Sequence, residues 1–182
     1  VLAIGHQPLY NATSANRVIA IGNSAGVSGT SALDNVYVGY GAGAYADSTG
    51  STYIGHKAGF RPNGNYNVAV GFQALSGSSA GSTAAQNVAI GHNAASNVTS
   101  AVKNVAIGER ALHGITTASK VIGIGYYAGY TQQTDDDGSI YIGHAAGYSD
   151  NGVNRNIFIG NDCGQSNTVG ANNLAIGYKA LE

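Results

Sequence analysis

The 182-residue chain has no methionine and no tryptophan, and it carries one cysteine, two prolines and three phenylalanines. A lone thiol, Cys163, excludes an intrachain disulfide and a Cys-rich zinc site, so packing alone has to hold the fold. Charge is scarce as well. Charged residues make up 9% of the chain, about a third of the ordinary share for a soluble domain. Eight basic and nine acidic residues leave a net charge of −1. The basic ones are scattered from Arg17 to Lys179, which gives no electrostatic footprint for a phosphate backbone or an anionic bilayer. No apolar run approaches the roughly 18 residues of a membrane-spanning helix. We therefore expect no nucleic-acid partner and no membrane insertion. Disorder is not implied either, because hydrophobic residues reach 43%, a normal share.

What the chain has in abundance is glycine, 28 residues, and the glycines are periodic. The phrase apolar-x-[Ile/Val]-Gly occurs eleven times, ending at Gly5, Gly22, Gly39, Gly55, Gly71, Gly91, Gly108, Gly125, Gly143, Gly160 and Gly177, at spacings of 16 to 20 residues. Asn or Ser usually precedes it, as at Asn35, Asn67, Asn87, Asn104 and Ser139. Three residues after the Gly comes Ala in nine copies, with Pro8 and Cys163 as the exceptions. Next comes Leu, Gly or, once, Ala95.

In each phrase the residues three and one before the Gly are apolar and mostly β-branched, the period-2 signature of a short strand. This alternation assigns the flanking pair, such as Val68 and Val70, to the interior. The middle residue, Ala, Gly, Tyr or Phe, then faces solvent or a second interface. The recurring Gly marks a tight corner, and the Ser/Thr/Asn/Asp/Gly-rich spacers mark turns that absorb all the length variation. The unit is too short for a helix pair or a propeller blade. The predicted fold is all-β, a parallel β-solenoid or β-roll of eleven 16–20-residue rungs, with 1–182 forming a single repetitive domain. Two aliphatic side chains per rung make a thin core, so a second burial surface is expected in an elongated oligomer of parallel chains. Val1 falls inside one rung and Glu182 inside another, and we expect a segment of a longer fibre.

The phrase Asn-Val-Ala-Ile-Gly-x-x-Ala-Leu, nearly intact at 67–75, 87–95, 104–112 and 173–181, closely resembles two related groups. One is the head repeats of trimeric autotransporter adhesins, which coil into left-handed parallel β-rolls. The other is bacteriophage tail-fibre and spike repeat segments, and the period near 17 residues lies closer to these. The resemblance implies a homotrimer and a structural shaft or receptor-binding segment of a tail fibre involved in host attachment, located on the virion. The alternative it implies is a bacterial cell-surface adhesin head that binds a glycan or matrix protein.

Chemistry on such a rod has few candidates. The nine acids do not recur at one position in adjacent rungs, as paired glycosidase carboxylates would require. Serine is abundant because the spacers are polar, and we expect neither an enzyme nor a cofactor. The run Asp135-Asp136-Asp137-Gly138 reads as a solvated turn rather than a Ca²⁺ loop, since it lacks alternating ligands. His6, His56, His92 and His144 each follow a corner Gly but sit in non-adjacent rungs, as surface histidines would. Cys163 takes an Ala slot and reads as a small buried thiol. The aromatics stand out more. Tyr37 and Tyr53 share a position in adjacent rungs, as do Tyr141 and Phe158, and Tyr40, Phe72, Tyr126 and Tyr178 follow corner glycines. Stacked rings pack on one another, pack across a chain interface, or take up a sugar face. Candidate glycan contacts are therefore Tyr37, Tyr40, Tyr53, His56, Tyr141 and Phe158. An ice-binding face would need a Thr-x-Thr rank in every rung, and none is present.

Overall fold

The computed structural model describes residues 1–78, 81–131, 137–151 and 155–182. Each Gly-terminated phrase forms a three-residue strand: β1 (Leu2–Ile4), β2 (Ile19–Ile21), β3 (Val36–Val38), β4 (Thr52–Ile54), β5 (Val68–Val70), β6 (Val88–Ile90), β7 (Val105–Ile107), β8 (Ile122–Ile124), β9 (Ile140–Ile142), β10 (Ile157–Ile159) and β11 (Leu174–Ile176). They pair in sequence order in one parallel sheet, and no helix occurs among the described residues. Register is strict. Leu2 lies opposite Ile19, Ala3 opposite Ala20, and so on to Ile159 opposite Ile176. At the usual strand separation the eleven rungs make a rod roughly 50 Å long. The opposite wall is not a second continuous sheet. Among the described residues the spacers carry isolated parallel bridges outside the named strands, such as Asn16 to Leu33 and Ala85 to Val102.

The corner glycines account for the stacking. At Gly108 φ is +128°, and an added Cβ would lie 2.5 Å from the carbonyl oxygen of Gly125 one rung on. Because that obstacle is backbone, no side-chain rearrangement could admit an alanine.

The interior is the reverse of the sequence expectation. The middle residue of the strand points inward: Ala20, Tyr37, Tyr53, Ala69, Ala89, Ala106, Tyr141 and Phe158 are fully buried. The β-branched pair on either side points outward, and Ile4, Ile19, Ile54, Ile90, Ile107 and Ile176 are exposed. Alternation alone identifies two faces without saying which is covered. A roll with one side chain per strand can enclose Ala or Tyr, whereas two bulky residues per strand would overfill it. The spacers also contribute to the core, through Ala32, Ala84, Val98, Ala101, Ile115 and Ala118. Cys163 is buried in its Ala slot, where its thiol donates to the Ala175 carbonyl at 3.2 Å and burial raises its pKa.

The Asn that precedes six of the eleven strands is a structural element in its own right. Asn87 donates from its backbone N–H and from Nδ2 to Asn67 Oδ1, at 2.9 and 3.2 Å. Its Nδ2 also meets the Ala101 carbonyl at 2.9 Å, tying strand to spacer within the rung. Its own Oδ1 accepts from the backbone N–H and Nδ2 of Asn104, each at 3.0 Å. A buried amide with donors and acceptor satisfied in three directions costs little to bury.

Candidate functional site

The six candidate glycan residues divide between core and surface. Tyr37, Tyr53, Tyr141 and Phe158 have no exposed area, so these four are withdrawn as glycan contacts. They are strand-centre side chains and point into the roll. Tyr37 and Tyr53 stack there with centroids 5.6 Å apart, and Tyr141 and Phe158 meet at 6.0 Å. Their hydroxyls are occupied differently. Tyr141 donates to buried Asp150 at 2.9 Å, which also accepts from Asn156 Nδ2 at 2.8 Å. Tyr37 lies 3.3 Å from Ser48 Oγ. The Tyr53 hydroxyl lies near Ser48, Ser51 and Asn67 but meets none of them in full hydrogen-bond geometry. Burial raises the pKa of both Tyr37 and Tyr53 well above the usual tyrosine value.

Tyr40 and His56 remain at the surface, where they belong to a longer column. The residue after each corner Gly projects outward, and successive members stack. Tyr40 to His56 is 5.1 Å, His56 to Phe72 4.9 Å and Phe72 to His92 5.3 Å. The four histidines are surface residues, as the sequence suggested, and Tyr40, Phe72 and Tyr126 from neighbouring rungs stack on His56, His92 and His144. His92 Nδ1 then lies 3.7 Å from Glu109. Farther along, Tyr126 stacks on His144 at 5.3 Å, and His144 Nδ1 contacts Asp162 at 3.2 Å. A column whose rings cover one another presents edges, not faces, to solvent.

A second group of rings went unrecognised in the sequence. Five residues past the corner Gly stand His113, Tyr130 and Tyr148, stacked at 5.1 and 5.0 Å. Two residues past it stands Tyr127, 4.3 Å from Tyr126, 4.8 Å from Tyr130 and 5.8 Å from Tyr148. The Arg110 guanidinium sits 5.3 Å from the Tyr127 centroid and hydrogen-bonds its hydroxyl, which raises the arginine pKa. Burial and then the Arg110 charge lower that of His113. The readable signal was positional: counting along each rung from its Gly puts these residues in shared columns.

The carboxylates are dispersed. Asp34 pairs with Arg17, Asp137 with Lys120 at 2.8 Å, and Asp47 accepts from Thr30 at 3.0 Å and from the Ser31 N–H at 2.7 Å. Among the described residues no group of three or more His, Cys, Asp or Glu side chains could hold a metal. Asp135 and Asp136, from the acidic run, lie outside the described residues.

Several shallow grooves indent the described surface. One, of about 510 Å³, is lined by Ser28, Tyr45, Asp47, Arg61, Asn63 and Gly81. Another, of about 270 Å³, is lined by Tyr126, Tyr127, His144, Ala145, Tyr148 and Gln165. The chain matches no known protein family, curated protein or solved structure.

Proposed function

We propose that the chain is a structural shaft, a segment of a bacteriophage tail fibre or spike on the virion, assembled as a parallel homotrimer and serving host attachment. One observation carries the assembly reading. Of the 22 strand positions flanking the eleven strand centres, 21 are Val, Ile or Leu, and Thr52 is the sole polar one. No charge interrupts this strip from Leu2 to Ile176. A strip roughly 50 Å long and one strand wide has a flat area on the order of 500 Å², at the upper end of what single soluble chains leave exposed. Three such strips turned toward a common axis would bury one another, with every rung facing its counterpart. The placement on a virion follows from the resemblance of the repeats. The same resemblance keeps a bacterial surface adhesin head, binding glycan or matrix protein, as the alternative.

Light scattering tests the assembly. The expected mass is three chains, and Ile107→Lys should lower it while leaving circular dichroism unchanged, since that side chain lies outside the fold of its own chain. A monomeric wild type would end this reading.

A further inference from the structure

The apolar face of each rung has two borders, and at β7 they carry opposite charges. Asn104 and Ala106 are buried, whereas Lys103, Val105 and Ile107 lie on the outer side of the chain. Lys103, at φ +62°, turns the backbone on one side of this face, and Gly108, at φ +128°, turns it on the other. Lys103 therefore marks one border and Glu109, directly past the corner, marks the other. Both are exposed. Six residues of extended chain span up to about 20 Å, and Val105 and Ile107 stand between, so the two cannot meet within one chain. Each also lacks a charged partner of its own. Lys103 forms no ion pair among the described residues, and the next cation in its column, Lys120, is taken by Asp137 at 2.8 Å. No lysine or arginine pairs with Glu109 among the described residues. Its carboxylate meets the His92 ring at 3.7 Å, and the adjacent Arg110 is hydrogen-bonded to Tyr127.

A ring of parallel chains in register brings opposite borders together. Its interfaces are heterologous, so the leading border of one chain meets the trailing border of the next at the same height. We propose that Lys103 of one copy pairs with Glu109 of the neighbouring copy and closes each junction of the assembly at the level of β7. This pair rests on the parallel-assembly reading and names residues that join its chains. The remaining rungs agree with it. Two rungs earlier the same borders carry Tyr66 and Phe72, 60% and 44% exposed, whose free surface the same junction would cover. No rung places like charges on its two borders. Flanking apolar side chains exclude water from such a pair, which fixes the order and height of the chains as well as adding attraction.

A carbodiimide, which joins a carboxylate to an amine only where the two touch, tests the contact on the assembled protein. Linked chains separated on a denaturing gel should yield a peptide that joins Lys103 to Glu109. Lys103→Glu and Glu109→Lys should each raise the chain concentration needed for assembly, read by light scattering in urea, roughly tenfold or more, because like charges then meet at every junction. The two substitutions together should restore assembly. Asp34 occupies the Lys103 column at φ +58°, so an acidic side chain fits there and the single variants should fold with unchanged circular dichroism. A wild type of three chains that yields no link between Lys103 and Glu109, or a double variant no better than either single one, would overturn the pair and leave the trimer intact. A monomeric wild type would overturn both.

Discussion

Rungs three and four, centred on Tyr37 and Tyr53, enclose the same cross-section as rungs five to seven, centred on Ala69, Ala89 and Ala106, by opposite means. Four residues past the corner Gly, the tyrosine rungs place Gly43 and Gly59, whereas the alanine rungs place Leu75, Ala95 and Leu112. A Cβ on Gly59 would lie 2.3 Å from the Tyr53 ring, and one on Gly43 would lie 2.5 Å from that of Tyr37. Tyr141 with Gly147 and Phe158 with Gly164 repeat the first solution. The two positions thus share one volume, which either the strand or the corner can fill. Rung eight, with Gly123 and Gly129, fills it from its neighbours. Leu112 reaches in from one side, 2.7 Å from where a Gly129 Cβ would stand, and Tyr141 from the other at the same distance. Close packing of this kind leaves no slack at either position.

The largest expected effect comes from breaking that compensation. Gly59→Leu forces a side chain into the Tyr53 ring and should cost about 3 kcal/mol or more, and Tyr53→Ala alone should cost about 3–5 kcal/mol through the cavity left behind. Together they recreate the Ala69 and Leu75 arrangement, so the double variant should recover most of the loss. A coupling of about 2–3 kcal/mol is expected from the cycle. Urea unfolding of the four proteins measures it, and additive losses would show that the two positions do not share a volume.

A smaller effect distinguishes the Asn column, which both kinds of rung use, from the valines that interrupt it. Val18 and Val121 occupy the same slot and are buried. Asn104→Val keeps the slot filled but removes the donor to the Ala118 carbonyl, at 3.0 Å, and the acceptor for the Val121 N–H, at 2.8 Å. Leaving those backbone groups unmet should cost about 1–3 kcal/mol. Hydrogen exchange at the Val121 amide should quicken in this variant, and unchanged exchange would mean that something else protects it.

The periodicity made the rung count, strand positions and register legible, because each corner Gly is set by contact with the next and cannot drift. The inward face was not legible. Period-2 alternation of Val-Ala-Val is symmetric with respect to which side is covered, and the usual weight given to aliphatic residues points the wrong way when the enclosed space is one residue wide. The pairing of Tyr with Gly and Ala with Leu carried the answer, since only residues sharing an interior have reason to trade volume. The candidate site failed on the same point. Tyr37, Tyr53, Tyr141 and Phe158 followed the inverted face into the core, while Tyr40 and His56, assigned from the corner, stayed outside. The Tyr127 and Tyr148 cluster required comparing columns two and five past the Gly, where residue types vary so much that no motif stands out.

The smallest effect at neutral pH becomes a distinguishing one in alkali. The tyrosine rungs bury phenols whose pKa is raised in the fold, above all by burial, whereas the alanine rungs have nothing there to titrate. Below the unfolded-chain value near 10 both states hold the proton and stability is intact. Above it the unfolded chain loses the proton while the folded chain keeps it, so stability falls by about 1.4 kcal/mol per pH unit for each such tyrosine, until the folded group also ionises. Tyr53→Phe should remove one tyrosine's share of that slope. At neutral pH it should be neutral or stabilising by about 1 kcal/mol, because the hydroxyl it deletes is buried without a well-formed hydrogen bond to Ser48, Ser51 or Asn67. Urea midpoints at pH 7 and at about pH 11 separate the two effects. An equally steep alkaline fall in Tyr53→Phe would mean that the buried phenol at Tyr53 contributes nothing to it, leaving the other buried tyrosines as its source.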